Sequence, residues 1–378
     1  MPKIRILIVD DSVVVRRMVS DALAADAQLE IAGTAANGKI ALAKIPQVNP
    51  DIVVLDVEMP ELDGISTLVE IRKSLPKLPV IMYSTLTQRG AEATLEALSK
   101  GATDYVTKPS NVGSASQALE CIRTQLIPKI KAICCRTLED GLPPLWVTAP
   151  AAPKSLPFRV SSTRRDERID IVALGVSTGG PNALAGLIPG LPRDFPVPLV
   201  IVQHMPPLFT RLLAERLAAK SQIMVEEGSM GTILRPGCAW VAPGDYHMVV
   251  EGDQNQARLR TYRGPQENSC RPAVDVLFRS VAHVYKSHVL AVVLTGMGQD
   301  GLRGCEHIRE VGGQIFAQDQ ASSVVWGMPG YVANAGLADR VLPLDRMGME
   351  IVRRVRIGRE ATREFKLAPR TGEVNIAR

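Results

Sequence analysis

The sequence predicts an α/β protein made of two parallel-sheet units joined by a linker. Three observations carry that prediction. Strand-like and helix-like segments alternate through the first 127 residues and again from residue 169. The strands are near-continuous apolar runs, as in a sheet covered by helices on both faces. A length of 378 residues also exceeds what one hydrophobic core usually organises.

In chain order, the first unit offers five strands: IRILIVDD, LEIAGTAA, DIVVLDV, PVIMYST and DYVTKP. Helix-period segments such as SVVVRRMVSDALAAD separate them, with apolar residues spaced three and four apart. From Pro128 to Arg168 the pattern dissolves. Six prolines (Pro128, Pro143, Pro144, Pro150, Pro153 and Pro157) and the run SSTRRDER read as a linker, although KIKAICC is able to continue the preceding helix. Periodicity resumes at Ile169 with the strands IDIVALGV, PLVIVQ, HVLAVVLTG and GQIFAQD. Helix patterns LFTRLLAERLAAK and PAVDVLFRSVAHVY lie between them. The stretch CAWVAPGDYHMVVEGDQNQARLRTY, broken by Pro-Gly-Asp and Glu-Gly-Asp, reads as antiparallel hairpins. MGMEIVRRVR is the last helix pattern. The expected domains are therefore 1–127 and 169–356, with a linker at 128–168 and a basic tail at 357–378.

The net charge of +5 suggests nucleic acid until it is located. Residues 128–168 hold eight Lys/Arg against four Asp/Glu, and residues 353–378 hold eight against three, so the rest of the chain is net negative. A basic excess confined to linker and tail supplies no docking face for phosphates, and no helix-turn-helix pattern is present; no nucleic-acid partner is expected. No apolar run approaches the ~18 residues of a membrane span, so no membrane insertion is expected either. Six cysteines without ligand spacing or a paired pattern, and a start without a signal-peptide pattern, point to a reduced, cytoplasmic protein.

In an open parallel sheet, ligands bind beyond the carboxyl ends of the strands. In the first unit those ends carry Asp10 and Asp11, Asp56, Ser84 and Thr85, and Lys108-Pro109. Three converging carboxylates favour a hard divalent cation such as Mg²⁺. A lysine and a hydroxyl beside them suit a phosphoryl group. The motifs DD, LDVEMPELDG, YST and DYVTKP, in this order, resemble the receiver domain of two-component response regulators over residues 1–127. The resemblance implies a flavodoxin-like fold and phosphorylation of Asp56 by a partner histidine kinase. It implies Mg²⁺ on Asp10, Asp11, Asp56 and the Glu58 backbone carbonyl. It also implies phosphoryl contacts from Ser84 and Lys108, Tyr105 as the switch aromatic, and a cis Lys108–Pro109 bond.

In the second unit the strand ends carry Ser177, in GVSTGG, then His204 and Asp300. Acyl transfer can use such a set: a serine nucleophile, a histidine that takes its proton, and a carboxylate that fixes the imidazole. GVSTG also fits the G-x-S-x-G turn that exposes a serine hydroxyl, although the order Ser…His…Asp is not that of the α/β-hydrolases. Alone, a glycine-rich turn after a strand equally suits phosphate binding, His204 could be a cap or core residue, and Asp319 rivals Asp300. The motifs GVSTGG, VQHMPPLFTRLLAERL, CRPAVDVLF, VVLTGMGQDG and AQDQASSVVWGMP resemble the chemotaxis protein-glutamate methylesterase (CheB) family across residues 169–355. That resemblance implies Ser177 as nucleophile, His204 as base, Asp300 as its orienting carboxylate, and Thr178 and the Met297 amide near the oxyanion. It implies hydrolysis of glutamyl methyl esters, and deamidation of glutamines, on the cytoplasmic helices of chemoreceptors, with no cofactor at the esterase site. In the unmodified state the receiver is expected to cover the catalytic mouth. Cys270 stands where members often have histidine.

Overall fold

The structure, a computed structural model, describes residues 2–108, 115–134, 168–254 and 256–359. In the first domain β1 (Ile4–Val9), β2 (Leu29–Ala35), β3 (Ile52–Asp56), β4 (Val80–Ser84) and β5 (Asp104–Thr107) form one parallel sheet of order β2-β1-β3-β4-β5. The chain runs outward from β1 to β2 and then returns past it to β3. The crevice between the ends of β1 and β3 is therefore the switch point where this topology seats a ligand. Helices α1 (Val13–Ala24), α2 (Gly38–Val48), α3 (Gly64–Ser74) and α4 (Gln88–Ser99) cover the faces. Each is started by a side-chain cap, from Ser12, Asn37, Asp63 and Thr87. Such a cap is typically worth about 1 kcal/mol.

The helical segment after β5 passes the expected boundary. It runs as α5 (Ala115–Cys121), a π-turn (Ile122–Leu126) and α6 (Ile127–Cys134). Pro128 is the second residue of α6, directly after the π-turn, and Ile130, Ile133 and Cys134 bury into the core of the first domain. Lys129 and Lys131 anchor this helix through ion pairs to Asp104 (2.8 Å) and Asp26 (2.6 Å). The linker expected from Pro128 therefore begins no earlier than residue 135. Residues 135–167 and the expected cis Lys108–Pro109 bond lie outside the described residues.

The second domain is a seven-stranded parallel sheet of order β14-β13-β12-β6-β7-β9-β8. Its strands are β6 (Ile171–Val176), β7 (Leu199–Gln203), β8 (Met224–Glu227), β9 (Cys238–Val241), β12 (Val289–Val293), β13 (Gln314–Gln318) and β14 (Arg340–Leu342). CAWV corrects the sequence reading: it is β9, buried and parallel to β7, and only β10 (His247–Glu251) with β11 (Arg258–Tyr262) makes the antiparallel hairpin. The alternation of β6 divides the core. Val172, Leu174 and Val176 face one apolar cluster, while Ile171 and Ala173 face another. Helices α7 (Gly180–Leu187), α8 (Phe209–Ala218) and α12 (Leu344–Arg356) contribute to the first cluster; α9 (Val274–Tyr285), α10 (Leu302–Glu310) and α11 (Met328–Asn334) contribute to the second. The strand order reverses between β6 and β12, so this domain has its switch point there.

The two domains share packing. Helix α4 lies against α7 and α8, the Tyr105 ring stacks on Phe209 (centroids 4.9 Å apart, planes at 5°), and Asn182 Nδ2 donates to the Ala102 carbonyl at 2.9 Å. Val324 and Met297 of the second domain pack against the apolar cluster that fills one face of the first domain, and Val325 belongs to it.

Candidate active site

At the first switch point Asp10 and Asp56 are buried and Asp11 is exposed, with carboxylate oxygens of all three within 4.8 Å of one another. Lys108 Nζ reaches Asp10 Oδ2 and Asp56 Oδ1, each at 2.8 Å. Burial pushes the Asp56 carboxyl up to about 6; Lys108 opposes that and Asp10 adds to it. Burial alone would lower the Lys108 ammonium, but Asp56 and Asp10 raise it above its ordinary value. An all-oxygen set of three carboxylates, only one of whose charges is balanced by Lys108, suits a hard cation. Ser84 Oγ turns away from these carboxylates and donates to the Gly90 carbonyl at 3.1 Å, in the first turn of α4. Tyr105 is buried against Phe209, with Lys129 Nζ 5.2 Å from its ring centre. The Glu58 side chain pairs outward with Arg89 at 3.3 Å.

At the second switch point Ser177 follows β6 and is half-buried. Its N–H donates to the Thr295 carbonyl (3.0 Å), and its carbonyl accepts from Gly180 N (2.8 Å). This turn depends on two glycines. Gly179 has φ +78°, and a Cβ there would lie 2.6 Å from Val324; a Cβ on Gly296 would lie 2.9 Å from Ser177 Cβ. Among the described residues the backbone amides of Thr178 and Met297 make no hydrogen bond, which leaves both able to donate to an oxyanion.

His204 follows β7. Its Nε2 lies 2.8 Å from Asp300 Oδ2, and its Nδ1 lies 3.5 Å from Cys270 Sγ. Asp300 is 2% exposed and fully engaged: Oδ2 also accepts from Val274 N, and Oδ1 from Asn268 Nδ2 and the amides of Asp275 and Gly301. Burial would raise this carboxyl, but the hydrogen bond and charge of His204 hold it below the usual carboxylate range. Burial likewise disfavours the imidazolium, yet Asp300 and Cys270 reverse that and lift His204 to about 10. The nitrogen facing the carboxylate is Nε2, the reverse of the serine-protease template, so Nδ1 is the atom left to exchange a proton. No hydrogen bond joins Ser177 Oγ to His204 among the described residues.

Asp319, the rival carboxylate, caps Ser322 (2.9 Å to its N–H), and among the described residues no hydrogen bond or ion pair joins it to His204. Sequence reasoning missed Gln203, which is buried and donates to the carbonyls of Ser177 (3.1 Å) and His204 (3.3 Å), tying the two strand ends together. It also missed Asn268, which bridges Asp300 and Asp275 at 2.8 Å each. Position next to His204 was the one available signal for Gln203; Asn268 lies in a loop without periodicity and had none.

The fold and these two rims define a class: a receiver domain joined to a doubly wound hydrolase domain, each with its residues gathered at a switch point. Residues 172–351 match the family described as CheB methylesterase, and residues 6–120 match the response regulator receiver domain. A protein-glutamate methylesterase/protein-glutamine glutaminase of Trichodesmium erythraeum is 56% identical over 357 residues, covering 94% of this chain and 100% of that one. One from a Nocardioides species is 52% identical over 355 residues, covering 94% and 96%. The solved CheB methylesterase catalytic domain of Thermotoga maritima is 41% identical with a TM-score of 0.48, covering 50% of this chain and 99% of that one. The chain belongs to the protein-glutamate methylesterase/protein-glutamine glutaminase family.

Proposed function

We propose that this chain is a serine hydrolase that removes methyl groups from glutamate methyl esters on chemoreceptor cytoplasmic helices, under control of phosphorylation at Asp56. The observation that carries the reading is the His204–Asp300 pair at 2.8 Å, one strand away from the Ser177 turn. Ser177 Oγ attacks the acyl carbon and His204 Nδ1 takes its proton, while Asp300 stabilises the imidazolium through Nε2. The free amides of Thr178 and Met297 receive the oxyanion; one such donor is typically worth about 3–4 kcal/mol. The proton on Nδ1 then passes to the departing methoxide, releasing methanol, and water clears the acyl-enzyme by the same route. A glutamine side-chain amide is handled identically, with ammonia leaving. The reaction calls on no cofactor at this site.

Asp56 is the phosphoacceptor for a histidine kinase. Asp10, Asp11, Asp56 and the Glu58 carbonyl would hold Mg²⁺, whose chemistry there is to neutralise phosphoryl oxygens. Ser84 is the link to the esterase: turning its hydroxyl to the phosphoryl group leaves the Gly90 carbonyl to Thr94 of the same helix and so cuts the tie between β4 and α4, which packs against α7 and α8. Those two helices start just beyond Ser177 and His204, so a shift of α4 bears directly on the catalytic rim. The protein works in the cytoplasm, where both partners present these groups.

The test is methanol release from methyl-labelled receptor fragments with and without a small phosphodonor. Ser177→Ala should abolish release while Asp56 still takes up phosphate. Unchanged release from that variant would sink the assignment.

A further inference from the structure

The thiol of Cys270, which the hydrolysis does not use, faces the His204 nitrogen that it does use. Cys270 Sγ and His204 Nδ1 are 3.5 Å apart. A tetrahedral Zn²⁺ with bonds of about 2.3 Å to sulfur and about 2.05 Å to nitrogen holds those two atoms about 3.6 Å apart. The separation of the two atoms therefore matches that of a sulfur and a nitrogen sharing one zinc ion. The far nitrogen of the ring already has the partner that zinc-bound histidines typically have, a carboxylate: Nε2 sits 2.8 Å from Asp300.

The backbone that carries the sulfur is well fastened. Cys270 closes a tight turn from Glu267 whose central residues, Asn268 (φ 52°) and Ser269 (φ 61°), are both left-handed, with bonds of 3.1 and 2.9 Å across its ends. Asn268 fastens this turn to Asp300 and Asp275, and Arg271 fastens it to Asp245 and the Gly264 carbonyl. Asp300 lies within 4.8 Å of both atoms, but its oxygens are filled by backbone amides, Asn268 and His204. It orients the ring and is not itself a ligand. His204 keeps 13% of its side-chain surface and Cys270 is half-buried, so an ion has a way in.

We propose that Cys270 Sγ and His204 Nδ1 form a binding site for a soft divalent cation, Zn²⁺ foremost, whose occupation inhibits the esterase. The ion takes two protein ligands and completes its shell with water. It displaces the thiol proton and any proton on Nδ1, so occupation tightens as pH rises. The inhibitory half rests on the functional reading above, since the ion covers the nitrogen that must accept the Ser177 proton; the binding half does not. Ligand hardness keeps the chain's two cation sites apart. A thiolate and an imidazole select zinc, and the all-oxygen set at Asp10, Asp11 and Asp56 selects magnesium.

Co²⁺, a spectroscopic stand-in for zinc, should bind the full-length protein with one thiolate-to-cobalt charge-transfer band per chain. Cys270→Ser should abolish that band, and Cys270→His should keep tetrahedral cobalt absorption without it. Asp300→Asn should weaken Co²⁺ binding by about 10–100-fold, because the ring loses its orienting partner. Zn²⁺ should also slow alkylation of Cys270, leaving the rates at the half-buried Cys121 and Cys238 unchanged. Near-ultraviolet circular dichroism of Trp240, buried in the same domain, checks that each variant is folded there. Absence of a thiolate band, or a band and protection that persist in Cys270→Ser, overturns the site. Zn²⁺ bound at Cys270 with full methanol release overturns the inhibition. A wild-type chain that binds Co²⁺ through sulfur but never releases methanol overturns the functional reading and leaves the metal site standing.

Discussion

A single proton on His204 decides whether the rim can act. Burial opposes the charged ring, but Asp300 and Cys270 lift His204 to about 10. The stabilisation from this pairing is complete below the unfolded value near 6.5 and is lost as pH rises through about 10. In the resting chain the base is therefore held as imidazolium at neutral pH, and hydrolysis by unphosphorylated protein should climb toward alkaline pH. Asp300→Asn removes the opposing charge. The His204 ring, followed by NMR, should then titrate at lower pH, and kcat should fall by up to about 10⁴-fold, the loss known for the same change in the serine-protease template. A ring that titrates unchanged in that variant would dissociate Asp300 from the proton. Asp56 also loses stability as pH rises, but in a lower window and because its ionised form is the one penalised. A carboxyl raised from 3.8 to about 6 is penalised when ionised, so the penalty is absent at low pH, grows between those two values and is complete above about 6. Asp56→Asn should thus gain melting temperature over the wild type as pH rises across that window, and the difference should then stay level.

At the scale of elements, each site residue sits where a strand stops and a helix has not yet begun. The nucleophile turn shows how little room that leaves. Gly179→Ala would place an ordinary residue at φ +78°, costing about 1–2 kcal/mol before any clash with Val324. Urea denaturation should register at least that loss, and an unaffected midpoint would mean that the turn relaxes freely. Parallel strands made this architecture legible from sequence, because buried runs such as IVALGV and LVIVQ end abruptly at polar residues. Ser177, His204 and Asp300 could be read as strand-end residues for that reason. The short edge strands β8 and β14 could not be read, since four and three residues carry too little periodicity. CAWV was mistaken for part of a hairpin because the Pro-Gly-Asp turn beside it is real, and what it connects is a sheet strand to a hairpin. Asn268 and the Cys270–His204 contact come from a left-handed turn, and no local pattern announces where such a turn points.

At the scale of the whole molecule, regulation is a question of how much free energy holds the receiver down. The Tyr105–Phe209 stack crosses the interface, and an aromatic pair contributes about 0.5–1.5 kcal/mol beyond its buried area. Phe209→Ala should accordingly raise methanol release by unphosphorylated protein by about 2–10-fold or more, and shrink the further gain from a phosphodonor. Equal basal rates in variant and wild type would show that this face is not what restrains the enzyme. The interface itself was legible only as an expectation carried by resemblance. No periodicity in either domain predicts that one aromatic within β5 and another at the start of α8 will lie face to face.

Arg359 has a further consequence. It donates to the Ile169 carbonyl and pairs with Asp170, each at 2.7 Å, fastening the exit of the esterase domain to its entrance. A module whose two ends meet behaves as a closed loop. It can be cut and rejoined elsewhere, or set into a host surface, with little strain on the rim that carries Ser177. Pulled by its ends, it would load that clasp first and leave the catalytic strand ends slack.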